Sequence, residues 1–343
     1  MATIYKPFLN DDISSTRTLL HESVPVTGTL LSGTYGTYGS EENVKNYSHG
    51  MFQSVYDYPY LSSSANHIAD ITCGYSSDST LSASASQQND KKIAIYKQMA
   101  QVLVGHDVTG SVLNFDIDGD LTGGSKHQEV VFMNFSRLLT KDEIKKQTFA
   151  LTIATGSAWN TEADANLIKI SDYNAATKYK TNSPAGEYAV LYTGSAAVAG
   201  TGVGLLYYQT GIVVLTASIF GTAKMDAANN VVSEVLTGST IKAAANSVRH
   251  RVNNLTFNNT TELNSTIYFC RVNHNEYNYS ANPTYTSGSR IRVKNNTLDN
   301  PTSYITSVGL YSADNELLAV SKLSEPLKKD PTNEMILRVR LDY

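Results

Sequence analysis

Short runs in which apolar and polar residues alternate dominate the chain. In its last third these runs are NSTIYFCRV (264–272), SRIRVK (289–294), SYITSVGLY (303–311), ELLAVSKL (316–323) and EMILRVRL (334–341). A period of two residues indicates β-strands with one buried face. Turn residues such as Asp314 and Asn315 separate the runs, a rhythm typical of an antiparallel sheet or sandwich. The pattern therefore predicts a mainly β fold with a few helices, of the α+β class, in which antiparallel sheets or sandwich-like modules follow an extended N-terminal arm.

Similar patterns occur in the middle of the chain. They predict three further strands, Ser111–Ile117, Glu129–Phe135 and Phe149–Thr155. The most apolar stretch, Val203–Phe220, is shorter than the roughly 20 residues that span a bilayer, and polar residues interrupt it. It predicts a hairpin of strands Leu205–Gln209 and Ile212–Ser218 that turns near Gly211, and no membrane segment.

Helical periodicity is rarer. Three helices are predicted: one capped by Asn89 or Asp90, one turn over TKDEIKKQ (140–147), and one over Thr237–Val252 capped by Ser239. In the first, apolar residues recur every three or four positions, which indicates a face packed on a core. Gly105 stands where a glycine commonly ends a helix.

Composition shifts divide the chain into segments. We predict an extended arm and docking segment over 1–60, a mixed β/helix domain over 61–155, a β-rich middle region over 156–254 and an antiparallel β module over 255–343. Glycines punctuate TGTLLSGTYGTYGS (27–40), which lacks a helical period, so the arm is expected to order against a partner. Tyr56, Tyr58 and Tyr60 follow with the period of a strand, and Pro59 favours an edge strand or docking strip.

Charge and composition exclude several functional classes. Lys and Arg number 27 against 31 Asp and Glu, so the net charge is −4 and a broad nucleic-acid surface is not expected. The 22 tyrosines suit interfaces and strand surfaces. With two cysteines, Cys73 and Cys270, and no CxxC pair, the chain lacks the disulfide framework of a secreted domain, and its first twelve residues lack the apolar core of a signal peptide.

The acidic run DIDGD (116–120) is the clearest candidate for metal binding. Asp116, Asp118 and Asp120 alternate as in the first half of a calcium loop. Such a loop then needs glycine at its sixth position and glutamate at its twelfth, where this chain has Leu121 and His127. A polar hairpin turn explains the same residues, so the three aspartates remain weak metal candidates.

Motifs for other chemistry are missing from the sequence. The seven histidines are scattered, and no nucleophile elbow or phosphate-binding loop is present. Gly200, Gly202 and Gly204 form a GxGxG run, whereas the dinucleotide motif is GxGxxG. A flexible segment that leads into a strand explains these glycines better. We expect no cofactor and no enzyme activity. If the chain were a cell-wall hydrolase, Asp116, Asp118 and Glu129 would be the acids to mutate.

Three segments resemble structural proteins of tailed bacteriophage virions. They are Glu262–Lys294, Ser303–Tyr343 and Asn134–Lys146. A strand that ends in VGLY, a short turn and then ELLAV resembles the small β-modules of tail and baseplate components of myovirus-like phages. The resemblance covers about half of the chain in separate blocks, and it carries no catalytic residue.

The resemblance implies a multi-copy assembly component of a tail, baseplate or neck, located in the virion after assembly in the host cytoplasm. Its expected partners are copies of itself and other virion proteins, without direct contact to nucleic acid or membrane. The residues that we expect at interfaces are Tyr56, Tyr58, Tyr60, Arg249, Arg251, Arg290, Arg292, Arg338 and Arg340. A capsid decoration protein and a host-surface module that binds carbohydrate through tyrosines remain alternatives.

Overall fold

The computed structural model describes residues 5–33, 41–83, 88–154, 167–194, 200–220, 236, 240–280, 284–288, 290–291, 296 and 298–343. The fold is mainly β, with 46% strand, 18% helix and large antiparallel sheets. This confirms the fold class that the alternating pattern predicts.

The elements are numbered in chain order. The strands are β1 Ile13–Thr27, β2 Val44–Asn46, β3 Gln53–Tyr56, β4 His67–Tyr75, β5 Glu129–Phe135, β6 Glu143–Ile144, β7 Ala150–Ala154, β8 Leu167–Ser171, β9 Lys180–Ser183, β10 Gly186–Thr193, β11 Gly204–Tyr207, β12 Ile212–Thr216, β13 Val252–Val272, β14 Thr286–Ser287, β15 Arg290–Ile291, β16 Ser303–Tyr311, β17 Leu317–Lys329 and β18 Met335–Asp342. The helices are α1 Gly28–Ser32, α2 Asn89–Leu103, α3 Arg137–Thr140, α4 Ala175–Lys178 and α5 Ile241–Arg251, with 3-10 turns at Asn10–Asp12, Thr80–Ala83 and Ala217–Phe220.

The chain forms two compact units. Unit 1 consists of Met1–Thr18 and Glu262–Tyr343, and unit 2 consists of Leu19–Thr261. The strands β1 and β13 each contribute residues to both units. The sequence predicts four consecutive segments, whereas the contacts group the start of the chain with its last third.

Unit 2 contains an extended antiparallel sheet. Its strands follow the order β13-β7-β8-β10-β11-β12-β5-β4-β3-β2. The central strand β5, EVVFMNF, is nearly all apolar because both of its faces are covered. It pairs with β12 through Val214 and Phe132 and with β4 through Cys73 and Val131. The helix α2 packs on β4, so the core lies between this helix and the sheet.

The N-cap residue of helix α2 lies one position before the predicted cap residues Asn89 and Asp90. Gln88 is the N-cap residue, with a left-handed φ of 58° and no side-chain capping bond. Gly105, with φ of 94°, donates its N–H to the carbonyl of Ala100 and ends the helix as predicted. In α5 the cap is Thr240, whose hydroxyl accepts the N–H of Ala243. The predicted cap of α5, Ser239, lies outside the described residues.

The predicted hairpin after Val203 is confirmed. Strands β11 and β12 pair from Gly204 with Leu215 to Tyr207 with Ile212. Gly211 has a left-handed φ of 69°, and a Cβ there would lie 2.6 Å from the methyl group of Thr140. The turn therefore requires glycine on two independent grounds.

Two local predictions for unit 2 are wrong. Residues Ser111–Ile117 form no strand, because only single bridges, such as Asp116 with Lys126, join this segment to its neighbours. The helical turn expected over 140–147 lies earlier, at α3, where the hydroxyl of Ser136 accepts the N–H of Leu138. Glu143 instead starts β6, so pairing with β13 outweighs the local capping pattern.

The N-terminal segment is not an irregular arm. Residues Ile13–Thr27 form the long strand β1, which pairs with β13. Residues Gly28–Ser32 form α1, which ends at Gly33 with a left-handed φ of 85°. Backbone pairing with a distant strand, which local composition does not reveal, orders this segment within its own chain.

Unit 1 contains a three-stranded sheet and a separate hairpin. β13 lies between β1 and β18, and it pairs with β18 from Ser265 with Asp342 to Val272 with Met335. β16 and β17 form a separate two-stranded sheet. Among the residues of unit 1 that the structure describes, only Val272 and Leu310 are buried apolar side chains.

Candidate functional site

The hairpin of β16 and β17, residues Ser303–Lys329, exposes several large apolar side chains. We call it the exposed hairpin. Leu317 and Leu318 begin β17 and are both exposed, at a point where the register of the strand pair shifts. Val320 is exposed as well, and it pairs with Gly309 on β16. Two strands alone are marginally stable in water, so this element needs support from other surfaces.

The lysine-rich end of the exposed hairpin, KLSEPLKKD (322–330), is not a solvated turn. Lys329 is fully buried within β17. Its ammonium group donates to the carbonyl of His274 at 3.1 Å and to the Oδ1 atom of Asn278 at 2.7 Å. Lys329 therefore fastens one end of the hairpin to the segment that follows β13, while the other end carries the exposed leucines.

The predicted arginines Arg338 and Arg340 lie on β18. Residues with even numbers on this strand are exposed, so both arginines share one face with Ile336. Arg340 donates to Asp342 at 2.7 Å, whereas Arg338 forms no ion pair with any described residue and has Phe269 as its cross-strand neighbour. Within the described chain β18 pairs only with β13, so its outer backbone edge is free.

The other predicted interface residues are dispersed. Tyr56 ends β3, an inner strand, and its ring lies 5.5 Å from that of His67. Tyr58 and Tyr60 are exposed but follow the strand in a bend, so the three tyrosines do not form one edge strand. Arg290 belongs to β15, and Arg292 lies outside the described residues.

Arg249 and Arg251 are fully buried and cannot act as exposed anchors. The guanidinium of Arg249 donates to the carbonyl of Ser32 at 2.6 Å and to the carboxylate of Glu41 at 2.5 Å. Burial alone would raise the pKa of Glu41, but the charge of Arg249 outweighs it and lowers the pKa. Burial and this guanidinium lower the pKa of His250 to about 4. The network joins α5 to the segment after α1, a structural role that a sequence pattern does not distinguish from an interface.

The three aspartates of the acidic loop do come together. One carboxylate oxygen from each of Asp116, Asp118 and Asp120 lies within 4.8 Å of the others. Asp116 is buried, and its carboxylate accepts the ammonium group of Lys126 at 2.9 Å and the N–H of Leu121 at 2.8 Å. These bonds close the loop, and the lysine supplies the compensating positive charge. The loop geometry therefore accounts for the aspartates without a cation.

A buried carboxyl that the sequence did not single out lies after β8. Asp172 accepts hydrogen bonds from the N–H groups of Gln147 and Phe149 and from the hydroxyl of Tyr208. Burial raises the pKa of Asp172 to about 6, and the hydrogen bonds partly oppose this rise. Asp172 and Tyr208 are almost completely enclosed, so the carboxyl holds the backbone of the β6–β7 connection.

Comparisons with known proteins identify no relative. No family model matches the chain, and no curated protein or solved structure gives a significant match. Within the described ranges, no helix has the length and apolar character needed to cross a membrane.

Proposed function

We propose that this chain is a non-enzymatic structural protein of a phage virion, a multi-copy assembly component of a tail, baseplate or neck that acts through protein–protein interfaces. One observation carries the assembly role. The described part of unit 1 buries only two apolar side chains while it exposes many others. The virion setting comes from the sequence resemblance, and a capsid decoration protein would use the same kind of surface.

The energetics of unit 1 favour a partner. Full burial of a leucine or valine stabilises a protein by about 1.5–3 kcal/mol. Leu317, Leu318 and Val320 leave most of that contribution unused, because each is more than half exposed. Exposed apolar side chains that cluster on one element are typical of an interaction site. A partner that covers the exposed hairpin would supply the burial that unit 1 lacks.

The free edge of β18 offers a second mode of association. An extended segment can add to an exposed sheet edge through backbone hydrogen bonds, while pockets and charges select its side chains. Arg338, which lacks an ion-pair partner among the described residues, would favour an acidic residue opposite it. Assembly through strand edges also protects them from uncontrolled aggregation.

The assembly role is tested with two matched leucine variants. Leu318→Asp places a charge on the exposed hairpin, and the control Leu138→Asp places one at an exposed leucine of unit 2; the two leucines are 69% and 59% exposed. We expect the parent chain and the control to form a concentration-dependent oligomer in sedimentation velocity. We expect Leu318→Asp to remain monomeric with an unchanged circular dichroism spectrum. A parent chain that stays monomeric over a 100-fold range of protein concentration would contradict the role of the hairpin. So would two variants that behave alike.

The virion setting needs its own experiment. Gold-labelled antibodies against the chain should decorate phage particles purified from lysates that contain the protein. Label at the distal tail end would favour a baseplate role, label at the collar would favour a neck component, and label over the head would favour decoration. Particles without label would overturn the virion assignment while leaving the hairpin result intact.

A further inference from the structure

Unit 1 contains a cavity of about 560 Å³ that the assembly role does not use. Tyr5 and Phe8 line it from the segment before β1, Tyr277 from the segment after β13, and Tyr311 from the end of β16. Cys270 and Leu337 contribute from two neighbouring strands. Pockets of 300–1,000 Å³ with apolar walls and a few polar groups are the usual sites for small ligands.

The aromatic wall is held in a defined geometry. The rings of Tyr5 and Tyr311 have centroids 4.6 Å apart at an angle of 58°. Gly309 lies under the ring of Tyr311, since a Cβ at that position would approach the ring to 2.9 Å. Tyr277 has a left-handed φ of 58°, and its carbonyl accepts the hydroxyl of Ser303. A left-handed backbone costs conformational free energy at a tyrosine, and such strained residues cluster at functional sites.

The charged groups at the cavity compensate one another. Asp12 accepts the Nε–H of Arg271 and, at 3.0 Å, the N–H of Leu9. Lys6 forms an ion pair with Glu276. The hydrogen bond from Arg271 lowers the pKa of Asp12, which therefore stays ionised. Because each of these charged side chains is paired with one of opposite sign, the cavity offers no excess charge to an ionic ligand.

Several hydrogen-bonding groups at the cavity still lack partners among the described residues. The terminal nitrogens of Arg271, the side-chain amide of Asn315 and the hydroxyl of Tyr311 all lie on residues that line it. Burial raises the pKa of the Cys270 thiol, with a further contribution from Asp12, so the thiol stays neutral. The cavity thus combines aromatic faces with unused donors and acceptors, and it lacks a reactive nucleophile.

We propose that this cavity binds a neutral saccharide. The C–H face of a pyranose ring carries a weak positive potential that matches the negative face of a tyrosine ring. Sugar hydroxyls both donate and accept, so they can satisfy the guanidinium, the amide and the tyrosine hydroxyl together. A charged ligand would gain no net electrostatic attraction in a charge-balanced cavity, and a purely apolar ligand would leave the polar groups unpaired. The proposal is independent of the assembly role, because it concerns the cavity and not the exposed hairpin.

Two tyrosines of β16 provide a matched test. Tyr311 lines the cavity and Tyr304 does not, although they are 43% and 46% exposed and lie on the same strand. The full chain is applied to a printed array of neutral and acidic oligosaccharides, and the best neutral glycan is titrated by calorimetry. We expect Tyr311→Ala to weaken binding at least about tenfold, as loss of a central aromatic contact commonly does, and Tyr304→Ala to bind like the parent.

A second variant removes a polar group without changing the fold. Asn315 has a left-handed φ of 64°, which glycine adopts freely, so Asn315→Gly keeps the turn and deletes the amide. We expect binding to weaken severalfold with an unchanged circular dichroism spectrum. Three results would overturn the proposal: no neutral glycan bound by the parent chain, binding restricted to acidic glycans, or equal loss in Tyr311→Ala and Tyr304→Ala.

Discussion

The buried carboxyl of Asp172 predicts a stability that depends on pH in a specific way. Its side chain is almost fully enclosed, and the residue is 2% exposed. The hydroxyl of Tyr208 donates to it at 2.9 Å, while the N–H groups of Gln147 and Phe149 donate at 2.6 Å and 3.1 Å. These contacts stabilise the ionised form, but burial outweighs them and raises the pKa to about 6.

The size and sign of the effect follow from the two pKa values of Asp172. The pKa rises from an ordinary 3.8 to about 6 in the folded chain, and at about 1.36 kcal/mol per pH unit this difference corresponds to about 3 kcal/mol. Because the folded state binds the proton more tightly, the ionised carboxylate destabilises the fold at pH 7. That cost falls as the pH is lowered from about 6 to 4, so this group alone makes the chain more stable in that window.

Tyr208→Phe removes the hydroxyl that donates to Asp172. A hydrogen bond to a charged group contributes about 1.5–3 kcal/mol, so we expect a loss of that size at pH 7. At pH 5 the carboxyl of Asp172 is largely protonated, and the same substitution should cost clearly less. The matched control is Tyr188→Phe, because the hydroxyl of Tyr188 donates to the neutral groups of Gly119 and Asn182. Its cost should be equal at both pH values.

The assay is urea unfolding followed by far-ultraviolet circular dichroism at pH 7, 6 and 5. The free energy of unfolding is compared for the parent chain, Tyr208→Phe and Tyr188→Phe, with Asp172→Asn as the variant that cannot ionise. The Asn variant should lose the part of the pH dependence that the carboxyl causes. Equal costs of Tyr208→Phe at pH 5 and pH 7 would refute the reasoning, since they would mean that Asp172 does not change protonation in this range.

Three further predictions concern unit 2. Gly204→Ala should lower the free energy of unfolding by about 1–3 kcal/mol in urea titrations, because a Cβ there would lie 2.2 Å from a carbonyl oxygen of the neighbouring strand; an unchanged midpoint would contradict this. Arg249→Met should cost about 1–3 kcal/mol, because it removes the buried donor to two carbonyl groups and to the partly exposed carboxylate of Glu41, and a stabilised variant would show that these bonds are dispensable. Burial raises the pKa of the Cys73 thiol to about 12, so a thiol reagent should label Cys270 first and Cys73 only after unfolding.

The sequence predicts best where the pattern is local. The hairpin of β11 and β12 and the helix α2 are clear, because strand and helix periods survive in a continuous run of residues. Strand β16 and the turn at Asn315 follow from the same alternation. In these places the residues that determine the element are neighbours in the chain, so a single sequence contains the information.

The sequence fails where distant residues decide the structure. The exposed face of Arg338 and Arg340 on β18 agrees with the strand alternation, but the sequence does not separate these interface candidates from the buried Arg249. Burial of Arg249 depends on Glu41 and on two carbonyl groups more than two hundred residues away. The cavity of unit 1 was missed for a similar reason, since Tyr5 and Tyr311 meet only after folding.

Because unit 1 is built from both ends of the described chain, it can fold only after unit 2 has been synthesised. Its first part ends at Thr18 and its second begins at Glu262, so 262 − 18 = 244 positions separate them along the chain. At a translation rate of about 5–20 residues per second, the early strand waits roughly 10–50 s for its partners. Unit 2 lies wholly in between and can fold during that interval. The apolar hairpin is therefore displayed only on chains whose larger unit has had time to fold, and under the proposed assembly role this order would delay recruitment until the subunit is finished.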